Sequence, residues 1–219
     1  MSAQTAPAPV SHQQEHLEKE LAFYGSYHSN TMNKIIHFCC IPQIWWSTLI
    51  IFGHVFIPEF VNHDLAPYLS ARLSVGTLFA IAFQLYYLIL DPFIGATYLP
   101  VMLIEYFTSA YFVAHPPAWL PWQTAFGPTP SSLPFASAMW VSAWIFQFIG
   151  HFVFEGRAPA LTENLTQALV TAPFFVHIET LFGVFNWNPT LHKRINNAIS
   201  KRIVAMNKAN REKAAKKAQ

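Results

Sequence analysis

Five mainly apolar stretches constrain this chain more than any other feature, because each is close to the roughly 20 residues a helix needs to cross a bilayer core. They cover residues 35–57, 72–90, 94–113, 135–154 and 165–185. Breakers separate them: Pro58, the Asp91-Pro92 pair, a stretch from 116 to 134 with six prolines, and residues 157–159. Hydrophobic residues make up 53% of the 219 and charged residues 11%, about half the charged share of an ordinary soluble domain. A soluble fold cannot bury that much apolar surface. The expected architecture is all-α: a polytopic transmembrane bundle of four to five membrane-embedded helices with amphipathic terminal helices. Residues 14–188 form its single membrane domain. Residues 1–13 are expected to be a disordered leader, and 189–219 a basic amphipathic helix and cytosolic tail.

None of the five stretches is plainly greasy. Pro42, Pro100 and Pro173 fall inside three of them, which neighbouring helices make tolerable in a membrane. Cys39 and Cys40 are adjacent and read as small core residues rather than a disulfide framework. Between Glu15 and Tyr27, the spacing of Leu17, Leu21 and Tyr24 marks one face of a short helix. Near the other end Asn188 caps a helix with Pro189 at its first position. Leu191, Ile195, Ile199, Ile203 and Met206 then recur at near-helical spacing among basic residues, as in a helix lying on an anionic membrane face.

Charge sets the orientation. Of 13 Lys and Arg, nine follow Leu191, and the positive-inside rule assigns such a tail to the cytosol. The N-terminus lacks a secretory signal pattern, so it is expected on the same side. That requires an even number of crossings, four or six, against five apolar stretches. The stretch 35–57, interrupted at Pro42, is the first candidate for a re-entrant segment. The ending Lys216-Lys217-Ala218-Gln219 resembles a dilysine retrieval signal and points to the endoplasmic reticulum membrane. No nucleic-acid partner is expected.

The chain holds ten histidines. His12, His16, His54, His63, His115 and His192 fall in polar leaders, loops or span ends, where an imidazole needs no special account. His28 and His37 are nine residues apart, and on one helix they would face opposite ways. Between them, Ser29, Asn30 and Thr31 are cap and turn residues. A helix ending near Tyr27 and another starting near Asn30 would let the two rings converge. Asn33 precedes His37 by four residues and can orient it or a bound water. Gln147, His151 and Glu155 are spaced by four, a polar stripe on an otherwise aromatic helix. The stripe alone supports two readings: a His–Glu hydrogen bond locking helices together, or a metal site. Of His177 and Glu179, only one can face the interior; Glu179 is the inward choice and His177 an interhelical hydrogen-bonding residue. Three imidazoles and a carboxylate in apolar surroundings suit iron or zinc.

Three blocks carry a resemblance: Phe23 to His37 with its Tyr-His-Ser-Asn core, Gln147-Phe-Ile-Gly-His151 through Glu155 to Pro159-Ala-Leu161, and Ala172-Pro-Phe-Phe175 to Glu179. Together they resemble the membrane family of the yeast 2-hydroxypalmitic acid dioxygenase, over roughly residues 15 to 190; residues 52–142 match only in hydropathy. The resemblance implies an endoplasmic reticulum enzyme using Fe(II) and molecular oxygen to remove C1 from a long-chain 2-hydroxy fatty acid drawn from membrane lipid. It carries over His28, His37 and His151 as metal ligands and Asn33, Gln147, Glu155 and Glu179 as catalytic residues. Glu155 is either a fourth ligand or a neighbour of the ligands. Arg157 is placed to meet the substrate carboxylate, or else to anchor the interface. Two rivals are a di-iron lipid hydroxylase, whose paired histidines this chain lacks, and a non-enzymatic membrane scaffold or lipid-binding protein, in which the polar stripe would be helix glue.

Overall fold

The computed structural model describes residues 11–55, 62–159 and 165–217. Most of the expected leader and the final Ala218-Gln219 lie outside these. Ser11 is already a helix cap: its hydroxyl accepts from the Gln14 amide, and α1 runs His12–Gly25. The leader therefore gives way to structure before residue 14. In α1, Leu17, Leu21 and Tyr24 are buried, as their spacing predicts.

The side chain of Asn30 accepts from the amides of Met32 and Asn33 and starts α2, Thr31–Gly53. This helix continues through Pro42 for 23 residues, long enough to cross a membrane. The expected interruption at Pro42 is thus overturned. Proline removes one backbone donor and crowds the preceding turn, but the helix is held by packing along most of its length. Next come two short antiparallel strands, β1 (Asn62–Ala66) and β2 (Leu69–Arg72), a hairpin with no counterpart in the apolar pattern. It takes Arg72 out of the second apolar stretch.

Helix α3 (Val75–Leu90) opens on a Ser74–Thr77 capping box. Helix α4 (Pro92–Ala114) opens on Asp91, whose carboxylate accepts from the Ile94 amide at 2.9 Å. The two form a tight antiparallel pair because Gly95 lets the backbones touch: a Cβ there would lie 2.6 Å from the Tyr87 carbonyl. Gln84 seals the contact by donating to the Gly95 carbonyl at 2.8 Å. Helix α5 (Leu133–Ile149) continues into a π-helical turn, Gly150–Glu155. Helix α6 spans Leu165–Gly183, and α7 spans Pro189–Lys217, capped by Asn188.

Among the described residues, three helical spans are long and apolar enough to cross a membrane: α2, α4, and α5 with its π turn. Helix α3 and the Leu169–Gly183 part of α6 are apolar but shorter. The main core joins α2, α3, α4 and α6, through Trp45 and Leu49 on α2, Tyr87 on α3, Tyr98 on α4 and Phe174, Phe175 and Ile178 on α6, while Ala136 of α5 packs with Ile50 and Val113 in a second cluster.

The terminal helices meet. Leu191 and Ile195 of α7 are buried in the same core as Leu17 and Leu21 of α1, and Met206 packs on Phe23 and Tyr27. The stripe predicted to lie on a membrane face therefore covers α1 over much of its length, and Arg202 turns onto α1 as well, donating to the Ser26 hydroxyl at 3.2 Å and lying over the Phe23 ring. Arg194 pairs with Glu18 at 2.6 Å. Cys40 is buried, but Cys39 is exposed, so the adjacent thiols do not share a core role.

The partners of α6 lie near one end of the bundle. His177 is 2.9 Å from Thr97 in the second turn of α4, the interhelical contact expected of it. Tyr87, near the end of α3, donates to the Val170 carbonyl. Glu179 meets Lys34 in the first turn of α2. Beyond α6, Trp187 stacks on Phe93 at the start of α4. All of these lie at the end that carries α1 and α7.

Candidate metal centre

The turn between α1 and α2 brings His28 and His37 together. With the helix broken at residues 26–30, their ring centroids are 4.3 Å apart and nearly perpendicular, at 74°. His151, on the π turn, completes the group at 4.8 Å from His28 and 4.9 Å from His37, again near right angles at 69° and 86°. All three are buried, and one nitrogen from each lies within 4.8 Å of the others. Metal–nitrogen bonds of about 2.0–2.1 Å would draw the rings inward by roughly an ångström.

The tautomers follow from the partners. Nδ1 of His28 lies 2.7 Å from the Tyr24 carbonyl, and Nδ1 of His37 lies 2.8 Å from the Asn33 carbonyl. A carbonyl only accepts, so both Nδ1 atoms carry a proton, and in the neutral ring the Nε2 atom keeps its lone pair. The Nε2 of His28 is buried without a hydrogen-bond partner, as is Nδ1 of His151. Burial, then the nearby His37 and His151 rings, hold the His28 imidazole well below its ordinary range, so it is neutral at pH 7. Neutral rings with unpaired lone pairs aimed at one point are the form in which histidine binds a metal. The donor set therefore fits a metal ion.

Glu155 does not join them. Its carboxylate accepts from the Ser29 amide at 3.1 Å, the Ser29 hydroxyl, the Asn30 amide at 2.8 Å and the Asn33 side-chain amide at 3.2 Å. Asn33, fully buried, also donates to the Tyr27 carbonyl. One carboxylate thus ties the end of the α5 π turn to the segment bearing two histidines. The stripe of four-residue spacings ends here, because a π turn is wider than an α turn. Gly150 makes room for this clasp: a Cβ there would stand 2.4 Å from Asn33 Oδ1.

Two expected residues lie elsewhere. Glu179 does not line the cavity beside the histidines; it pairs with Lys34 at 3.4 Å. Arg157 donates to the Ser26 carbonyl at 3.0 Å, holding the end of α1. Gln147 does line the cavity, and its Nε2 is buried without a partner. Tyr24, whose ring stacks on His28 at 4.0 Å and 11°, was not singled out as a site residue, although its four-residue offset from His28 marks it as a helical neighbour.

The histidines sit at one end of a cavity of about 720 Å³. Its walls are α2 residues from Ile41 to Phe52, α5 residues from Trp140 to Phe148, Phe79 and Phe83 of α3, and Leu169 to Pro173 of α6. The lining is aliphatic and aromatic apart from the histidine end and Thr48.

Comparison with known proteins decides the family. The model of the 2-hydroxy-palmitic acid dioxygenase Mpo1-like family matches residues 14–184. The chain belongs to the Mpo1-like family. A relative in Saccharomyces cerevisiae, the 2-hydroxy-palmitic acid dioxygenase MPO1, is 34% identical over 168 residues, covering 76% of this chain and 80% of its own. No solved structure matches. The match contains all three histidines, so the centre lies inside the Mpo1-like region. The chain thus belongs to a family named for a dioxygenase, has three described helical spans long and apolar enough to cross a membrane, and contains a buried three-histidine group able to hold a metal.

Proposed function

We propose that this chain is an Fe(II)-dependent dioxygenase of the endoplasmic reticulum membrane that shortens long-chain 2-hydroxy fatty acids by one carbon. Overall, one 2-hydroxy acid and one O₂ give the acid one carbon shorter, CO₂ and water. The observation that carries this reading is the convergence of three neutral imidazoles at one end of an acyl-sized apolar cavity, in a chain of this family.

His28, His37 and His151 would hold the ion, with carbonyl-bound Nδ1 protons fixing two of the rings. Bound iron would supply Lewis acidity toward the hydroxyl and carboxylate oxygens of a 2-hydroxy acid and a binding place for oxygen. The protein's own groups do the rest. Glu155 and Asn33 hold the ligand-bearing turn in place. Gln147 offers a buried N–H to a substrate oxygen beside the histidines. The aromatic walls exclude water and align the chain so that its first two carbons meet the centre. Arg157 and Glu179 act through the turns they brace.

The test uses the full chain purified in detergent. Iron should copurify near one equivalent and be lost in His151→Ala. Oxygen uptake should follow 2-hydroxypalmitate and not palmitate, which lacks one of the two chelating oxygens. Full iron occupancy and activity in His151→Ala, or equal turnover of the two acids, would sink the proposal.

A further inference from the structure

The cavity has a measurable depth, and both of its long walls agree on it. Its lining on α2 follows one helical stripe: His37, Ile41, Ile44, Trp45, Thr48 and Phe52. On antiparallel α5 the matching stripe is Trp140, Trp144, Gln147 and His151. At one end His37 and His151 are neighbours. At the other, the Trp140 indole donates to the Thr48 hydroxyl at 3.1 Å. Thr48 lies eleven residues after His37, and Trp140 eleven before His151. At about 1.5 Å per residue, this rung stands about 16 Å from the histidines along either helix. Just past it, Phe52 meets Phe79 edge to face at 5.2 Å, closing the α3 side. Half of a roughly 30 Å hydrocarbon core, the reach of one leaflet's acyl chains, is about 15 Å.

We propose that the cavity is a ruler for a straight saturated acyl chain, with the carboxylate end at the histidines and the methyl end stopped by the Trp140–Thr48 rung and the Phe52–Phe79 pair. These far residues, rather than the metal centre, set chain-length preference. The inference rests on the fatty-acid reading above and adds which residues select among such acids. Polar groups at one end and an apolar lining elsewhere fix the direction in which an amphiphile lies. Depth then decides which length satisfies both ends. A chain too short leaves wall uncovered, and a chain too long must fold or withdraw its head.

Opposite substitutions test it. Trp140→Ala or Phe79→Ala opens the far end, and Ile44→Trp blocks the slot about two-thirds of the way down. The full chain is assayed with a ladder of straight-chain 2-hydroxy acids, for turnover and, separately, for binding by calorimetry. The opened variants should move the preferred length up by two or more carbons and Ile44→Trp should move it down, by roughly fourfold in relative kcat/KM per methylene. Having variants of both signs keeps the test decisive should one of them fold poorly. Turnover by every protein with an unmoved length profile overturns the ruler and leaves the proposed reaction standing. Binding optima that shift as expected without turnover by the native chain support the ruler and overturn the reaction.

Discussion

Glu155 is the residue on which the centre's geometry depends most without belonging to it. Ser29, Asn30 and Asn33 all donate to it, and they flank or lie between His28 and His37. Groups that orient metal ligands are worth about 10–100-fold in metal affinity when removed. Glu155→Ala is therefore expected to bind iron 10–100-fold more weakly while keeping its helical content; chelator competition and circular dichroism measure the two. An unchanged affinity would reduce the clasp to a bystander. The three histidines were legible because Ser29-Asn30 reads as a helix break, which turns a nine-residue spacing from divergent to convergent. Of the two readings of Glu155, fourth ligand or neighbour of the ligands, the structure shows the second; counting by four could not choose, because it assumes an α-helix and Gly150–Glu155 is a π turn. Glu179 was misjudged for a related reason: helical phase says which way a side chain points, but not that Lys34 waits there.

Among the elements, the α3–α4 pair and the hairpin show what hydropathy reveals and what it hides. The stretch 94–113 lies within α4, where composition, the Asp91 cap and Pro92 all agree. The stretch 72–90 divides, because hydropathy does not separate a short strand from a helix. Gly95 bears directly on Tyr87, so Gly95→Ala should force α3 and α4 apart at about 1–3 kcal/mol, the usual range for overpacking. A fall in thermal midpoint for this variant, absent from Gly183→Ala with open space around it, checks the assignment. The hairpin carries a pH dependence. The Ser70 hydroxyl, then His115, hold the Asp64 carboxyl below its ordinary 3.8. A depressed carboxyl stabilises the fold above its unfolded value and loses that contribution as pH falls through the folded one. Amides of residues 69–72 should thus exchange faster below about pH 3.8, and Asp64→Asn should remove most of that acid response. An acid response of equal size in the variant would assign it to other groups.

For the whole molecule, α1 packing on α7 means that both terminal helices sit at one end of the bundle. The partners of the described α6 residues lie at that same end, and we propose that α6, rather than α2, is the shallow element. On that proposal α2 to α5, with the 16-residue α3 the shortest of them, would supply four crossings, the even number that the charge distribution calls for. In sealed microsomes, tags at both termini should be digested from the cytosolic side; a tag protected until detergent is added would refute the arrangement. The expected sidedness rests on charge alone, since nine basic residues follow Leu191. The identity of the shallow element was not legible, since α2 and α6 are both apolar and both carry an internal proline. Only their neighbours distinguish them.

A slot of fixed depth also treats the two sides of a one-carbon shortening unequally. An acid whose methyl end stands against the Trp140–Thr48 rung loses reach when C1 leaves. Its new carboxylate falls short of the histidines or its tail lifts from the floor, and it has lost the hydroxyl as well. On the ruler proposal, the barrier that selects the starting acid would thereby loosen the grip on what remains, and departure toward the lipid would be favoured by the same side chains that govern admission.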